Sequence, residues 1–221
     1  MELESDFRRP ALRPTLESLE GHFASEVARE PEELPNRHRE SRVGEEARRL
    51  AARAAVLIAI VDRDGELSVL FTRRHHSISY PGHICFPGGR SDPKDAALEE
   101  TALREAHEEI SLLPEQVRVL GRLGDYYTHS RYRIAPVVGV VSPPLQLVPH
   151  PREVEEIIEI PLPYLLRSDS YRLRSHAGVA SRAHFSLTHA GAAITGPTVC
   201  ILMGFYDQLA RTHPPPPVKT R

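Results

Sequence analysis

The stretch TALREAHEEI places three glutamates, Glu105, Glu108 and Glu109, within five positions. On a helix these positions share a face, because residues three and four apart are surface neighbours. Like charges at that spacing disfavour an isolated helix by roughly 0.2–0.5 kcal/mol per pair. A hard divalent cation with oxygen ligands, Mg²⁺ or Mn²⁺, offsets that repulsion. Arg104 can pair with Glu100 and Glu108, each four positions away, and so orient the cluster without being a ligand. An ExxEE pattern alone is better read as a solvated acidic helix face. Here it ends a longer array of strand, Gly-Gly, helix-capping residues and REAHEE, and the whole array points to a metal site.

These carboxylates need a helix, and the sequence predicts one from about Asp95 to Ile110. Ser91 or Asp92 can cap it, with Pro93 in the first turn. Its apolar stripe is Leu98, Ala102, Ala106 and Ile110, with Leu103 beside it; the stripe faces the core and the glutamates face elsewhere. Ahead of it, Gly88 and Gly89 read as a turn whose backbone can approach an ion or phosphate closely. AAVLIAIV (54–61), ELSVLFT (66–72), HICF (83–86), VRVLGRL (117–123), YRIAPVVGVV (132–141), EIIEI (156–160) and, more weakly, HFSL (184–187) read as strands. A closing helix spans Pro197 to Ala210. The sum is a mixed sheet flanked by helices, an α/β or α+β fold.

Three segments differ in texture. Residues 1–50 form a charged extension, with EEARRLAARA (45–54) helical and the rest a surface helical arm or partly disordered. Residues 51–210 form the domain, and 211–221 a proline-rich tail of polyproline type. The two cysteines, Cys85 and Cys200, sit in apolar surroundings and read as buried free thiols. Adjacent His75 and His76 point apart on any regular element, which argues against zinc. A net charge of −2 in 221 residues gives no field for nucleic acid or anionic lipid. The longest apolar run is too short to span a bilayer and MELESDFRRP is no signal peptide, so the expectation is a cytosolic protein with a small-molecule partner. A homodimer is compatible with all of this.

At these residues the chain resembles the Nudix hydrolases. Their signature runs Gly, five residues, Glu, seven residues, then Arg-Glu-apolar-x-Glu-Glu-x-Gly-apolar. REAHEEISL (104–112) matches the second half, with Ser111 in place of the glycine. A serine there costs about 1 kcal/mol if the backbone keeps its left-handed shape. The interval from Gly89 to Arg104 is one residue longer than the signature, and Asp92 or Asp95 stands in for its isolated glutamate. FPGGRSDPKDAALEETALREAHEE is similar to the subgroup that cleaves coenzyme A. LFTRR, LGRLGDYYTHSRYRIAPVVGVV and EVEEIIEIPLPYLL follow in that subgroup's order, so the likeness covers about Ala54 to Ala210.

The resemblance implies a Nudix-type mixed sheet between helices and metal-dependent hydrolysis of a nucleoside diphosphate derivative. It implies Gly88, Glu105, Glu108 and Glu109 as metal ligands and Arg104 as the orienting residue. Glu108, Glu109 and Glu153 are its catalytic candidates, with a box glutamate or Glu153 as general base and Glu155 and Glu156 as rivals. Arg73 and Arg74 are its phosphate-binding candidates. Coenzyme A, cleaved to 3′,5′-ADP and phosphopantetheine, is the expected substrate. The loop containing SISYPG is one residue shorter than in that subgroup, with Ile78 and Ser79 where Leu-Arg is usual, and Thr195 replaces a common tryptophan. NADH, ADP-ribose or another nucleoside diphosphate derivative therefore stays open as the substrate. So does a non-catalytic binding module on the same fold.

Overall fold

Strand β1 (Ala52–Arg63) is apolar on both faces because it lies inside the sheet, with helices covering either side. The computed structural model describes residues 10–26, 32–37, 43–176 and 179–212, without the side chains of 175–183. Helices α1 (Leu16–Glu26) and α2 (Glu45–Arg49) precede β1. After it come β2 (Glu66–Arg74), β3 (Ile84–Cys85), β4 (Gly88–Arg90), α3 (Leu98–Ile110), β5 (Val117–Arg122), β6 (Tyr126–Tyr127) and β7 (Tyr132–Val141). The rest is β8 (Val154–Pro161), α4 (Leu162–Leu165), β9 (Tyr171–His176), β10 (Val179–His189), β11 (Ala192–Ile194) and α5 (Gly196–Thr212).

The main sheet runs β3-β2-β1-β7-β5, and β1 and β7 pair in parallel from Ala52–Tyr132 to Val61–Val141. All its other pairings are antiparallel. On its other edge β1 pairs with β2 only over Ile60–Arg63, while its first half, Ala54–Val56, pairs with β4. β2 meanwhile pairs with β3 through Thr72 and Arg73. The sheet therefore forks, and residues 84–90 fill the opening between β1 and β2. A second, three-stranded sheet is formed by β9, β10 and β11.

The period of two along β1 divides the core. Ala55, Leu57, Ala59 and Val61 join Leu98, Ala102, Ala106 and Ile110 of α3 on one face. Ile58 and Ile60 join α5 on the other, with Leu12, Leu19, Phe23 and Leu34 from the first 50 residues. Small Ala102 and Ala106 let α3 lie close to the sheet, so its polar side is held near β4.

Several expectations change. EEARRLAARA is helical only to Arg49, because Ala52 onward is recruited into the ladder with β7. Gly88 and Gly89 form a paired strand, not a turn, since β1 offers them an open edge. Helix α3 starts at Leu98, behind an extended Ala97 with no side-chain cap, because Asp92 and Asp95 are engaged within the preceding loop. Cys200 is buried but Cys85 is half-buried. The polyproline reading of the tail falls almost wholly on 213–221, outside the described residues, as do residues 1–9.

Phe23 is 3% exposed and packs in the core from an arm that precedes the sheet. Phe23→Ala is expected to lower the unfolding free energy by about 3–5 kcal/mol in urea denaturation. A loss below about 1 kcal/mol would show that the arm does not pack in solution.

Candidate active site

The site is built where α3 passes the fork. Its anchor is Asp95, in the loop before the helix. Asp95 Oδ1 accepts Arg104 Nε–H at 3.0 Å and Oδ2 accepts Arg104 Nη2–H at 3.1 Å. Oδ2 also accepts the Thr101 hydroxyl at 2.8 Å and the Asp92 N–H at 2.9 Å. The Arg104 hydrogen bonds hold the Asp95 carboxyl well below the usual carboxylate range, and the pair raises Arg104 further. Of the two aspartates left open by the sequence, Asp95 therefore takes the partner's place beside Arg104.

Arg104 distributes the rest of its fork. Its Nη1 donates to Glu105 at 2.9 Å and to Glu108 at 3.2 Å, and Nη2 donates to the Arg90 carbonyl at 3.0 Å. The expected pairing with Glu100 is replaced, because Glu100 accepts the Ala96 N–H at 2.8 Å ahead of the helix. One guanidinium thus ties loop, helix and β4 together.

The three glutamates do not all face away from the core. Glu109 is 5% exposed and its Oε2 accepts the Gly88 N–H at 3.2 Å. Burial pushes its carboxyl up to about 8; the Glu105 and Glu153 charges add to this, and the Gly88 N–H and the Arg74 charge oppose it. Glu105 is half-buried against β4, and burial raises it too, opposed by Arg104. A Cβ on Gly89 would lie 2.4 Å from Glu105 Oε2, so only glycine leaves that carboxylate its place. A Cβ on Gly88 would lie 2.4 Å from the Ala55 carbonyl oxygen, so β4 can approach β1 only as glycine. Glu108 is solvent-exposed. Among the described residues no three His, Cys, Asp or Glu side chains converge tightly enough to hold a cation as they stand. The donor chemistry nevertheless suits a hard dication: three carboxylates, two of them raised by burial, against the two glycines of β4.

Glu153 reaches the site through the loop before β8. The Val148 N–H donates to the Ile110 carbonyl at 3.1 Å and the His150 N–H to the Glu109 carbonyl at 2.8 Å. These bonds use carbonyls left free at the end of α3. Ser111 caps that end in the left-handed conformation, φ 57°, and its hydroxyl donates to the Val148 carbonyl at 3.3 Å. Glu153 is thereby brought near enough for its charge to raise both Glu105 and Glu109. Glu155 and Glu156 are exposed on β8, and Glu156 accepts Arg73 Nε–H at 2.9 Å.

The two arginines of β2 part company, as successive strand residues must. Arg73 is engaged by Glu156, whereas the Arg74 charge bears on Glu109. Arg74 Nε donates to the Ser79 carbonyl at 2.8 Å and so also steadies the loop 75–83. Cys85, read as a core thiol, lies within the field of Glu109 and Arg74 beside the Thr72 hydroxyl at 3.4 Å. Its sequence position two residues ahead of Pro87-Gly88 was the available signal. His150 carried none.

This arrangement is found on a known scaffold. The Nudix domain model matches residues 51–170, just over half of the chain, and the chain belongs to the Nudix family. It is a hydrolase acting on pyrophosphate bonds in nucleoside diphosphate derivatives. Among curated proteins it is 39% identical over 135 residues to the uncharacterized Nudix hydrolase NudL of Photorhabdus laumondii, covering 60% of this chain and 72% of that one. It is 39% identical over 137 residues to the peroxisomal coenzyme A diphosphatase NUDT7 of Mus musculus, covering 61% of this chain and 58% of that one. Among solved structures, the Nudix hydrolase RenU of M. smegmatis is 21% identical with a TM-score of 0.47, covering 77% of this chain and 91% of that one.

Two expected outcomes follow from Glu109 and Gly89. Below about pH 4.5 the Glu109 carboxyl is protonated in both folded and unfolded chains and its burial costs little. Between that value and about 8 the unfolded chain ionises while the folded chain keeps the proton, so stability falls as pH rises. In chelator, Glu109→Gln should therefore melt increasingly above the parent from pH 5 to about pH 8 and level off beyond it; a pH-independent difference would contradict a buried lone carboxylate. Gly89→Ala should keep its melting temperature within a few degrees and lose about tenfold or more in kcat, because the clash is relieved by moving the flexible Glu105 carboxylate.

Proposed function

We propose that this hydrolase cleaves the diphosphate of coenzyme A or its thioesters, giving 3′,5′-ADP and (acyl-)phosphopantetheine. The observation that supports this substrate is the 39% identity to a protein named as a coenzyme A diphosphatase. The run FPGGRSDPKDAALEETALREAHEE agrees with it. Glu105, Glu108 and Glu109, with the Gly88 carbonyl, would hold Mg²⁺ or Mn²⁺. When bound, such ions draw charge from a diphosphate and acidify a water molecule.

The chain's own residues divide the remaining work. Arg104, locked by Asp95, keeps Glu105 and Glu108 on the β4 side of the helix. Arg74 supplies positive charge for a phosphate oxygen at the mouth of the fork. Glu153, exposed and close to the box carboxylates, accepts the proton of the attacking water. Glu109, raised by burial, is better suited to ligation than to proton uptake while a cation is bound.

A second reading, NADH or ADP-ribose as substrate, is favoured by the short 75–83 loop and by Arg73, whose guanidinium is already occupied by Glu156. Purified protein with Mg²⁺ or Mn²⁺ should turn over coenzyme A faster than NADH or ADP-ribose, read by chromatography of the products. Glu153→Gln should lower kcat by about 10²-fold or more. Preference for NADH or ADP-ribose would replace coenzyme A, and an unaffected Glu153→Gln would remove Glu153 as base.

A further inference from the structure

His150 joins the two halves of the site through three backbone hydrogen bonds. Its N–H donates to the Glu109 carbonyl at 2.8 Å, and its own carbonyl accepts the N–H groups of Glu153 at 3.1 Å and Val154 at 2.9 Å. The Glu153 carbonyl is fixed from the other side by the His75 N–H at 2.9 Å. The backbone of Glu153 is thus fully held. Its carboxylate is not: among the described residues its nearest basic partner is His150 Nδ1, 3.8 Å from Oε1. That nitrogen is buried and has no hydrogen-bond partner among the described residues.

An imidazole nitrogen withdrawn from water without a partner costs free energy. A modest rotation of either side chain would close 3.8 Å to hydrogen-bond length and remove that cost. We propose that His150 is the positioning residue for Glu153, its Nδ1–H donating to one carboxylate oxygen and leaving the other free to take the proton of the attacking water. His150 keeps its own proton throughout. The imidazole selects the Glu153 rotamer that faces Glu105 and Glu109 and prevents the carboxylate from drifting into bulk solvent. This inference rests on Glu153 acting as base, as proposed above.

The test separates the two ideas. Coenzyme A and ADP-ribose with Mg²⁺ serve as substrates, and kinetics are measured on whichever turns over faster. His150→Leu should lower kcat about tenfold, with KM within about twofold. Asparagine places an amide near the position of Nδ1, so His150→Asn should recover most of the loss; both variants retain the three backbone bonds. In a Glu153→Gln background, His150→Leu should have no further effect on kcat. An unchanged kcat in His150→Leu, an equally impaired His150→Asn, or an undiminished effect of His150→Leu in the Glu153→Gln background would each overturn the positioning role. If Glu153→Gln itself is fully active, the base assignment has failed, and His150 loses its role with it.

Discussion

The site depends on one ion pair, between Arg104 and Asp95. Both partners are largely withdrawn from water, with side-chain exposures of 29% and 6%. The pair makes two hydrogen bonds in fork geometry, and Asp95 accepts two more from Thr101 and Asp92. Such satisfaction is what makes a half-buried pair tolerable, since an unpaired buried charge is strongly destabilising. Because the same guanidinium reaches Glu105, Glu108 and the Arg90 carbonyl, the positions of the helix, its preceding loop and β4 are coupled. Loosening any one of them would displace carboxylates belonging to the others.

The second constraint is the forked sheet. Where β2 leaves β1, residues 84–90 enter, and their glycines allow a strand to lie under the polar side of α3. That placement covers Glu109, raises its carboxyl and gives it the Gly88 N–H as partner. A carboxylate in such surroundings has a strong affinity for positive charge, because desolvation has already been imposed by folding. The fold thus imposes that desolvation on Glu109 itself, and its carboxyl holds a proton in consequence.

The sequence was most legible where one physical signal dominated. β7 has the limits expected, Tyr132 to Val141, and β1 exceeds its apolar run by two residues at each end. The stripe of α3 is buried as its spacing required. Glu109 was misplaced because it lies at the margin of that stripe, next to Ile110, and its burial is completed by β4, which is distant in sequence by some twenty residues. The start of α3 was misplaced because aspartates suited to capping a helix serve each other and Arg104 instead. Short β6 and β11 close local hairpins with β7 and β10 but are too brief to show an alternating pattern, whereas the packing of α1 depends on partners far along the chain. Recognition of the box glutamates needed only local spacing; the approach of Glu153 and Arg74 needed the fold.

The arm and α5 are laced together across almost the whole length of the chain. Tyr206 donates its hydroxyl to the Pro10 carbonyl, Arg37 pairs with Asp207, and Arg211 pairs with Glu32 at 2.8 Å. The arm precedes α5 in the chain, with the whole main sheet between them. At about 5–20 residues per second, several seconds or more separate the synthesis of Leu12, Leu19, Phe23 and Leu34 from that of α5. Full burial of that apolar arm therefore waits on contacts of very high sequence separation, the kind that slow folding most.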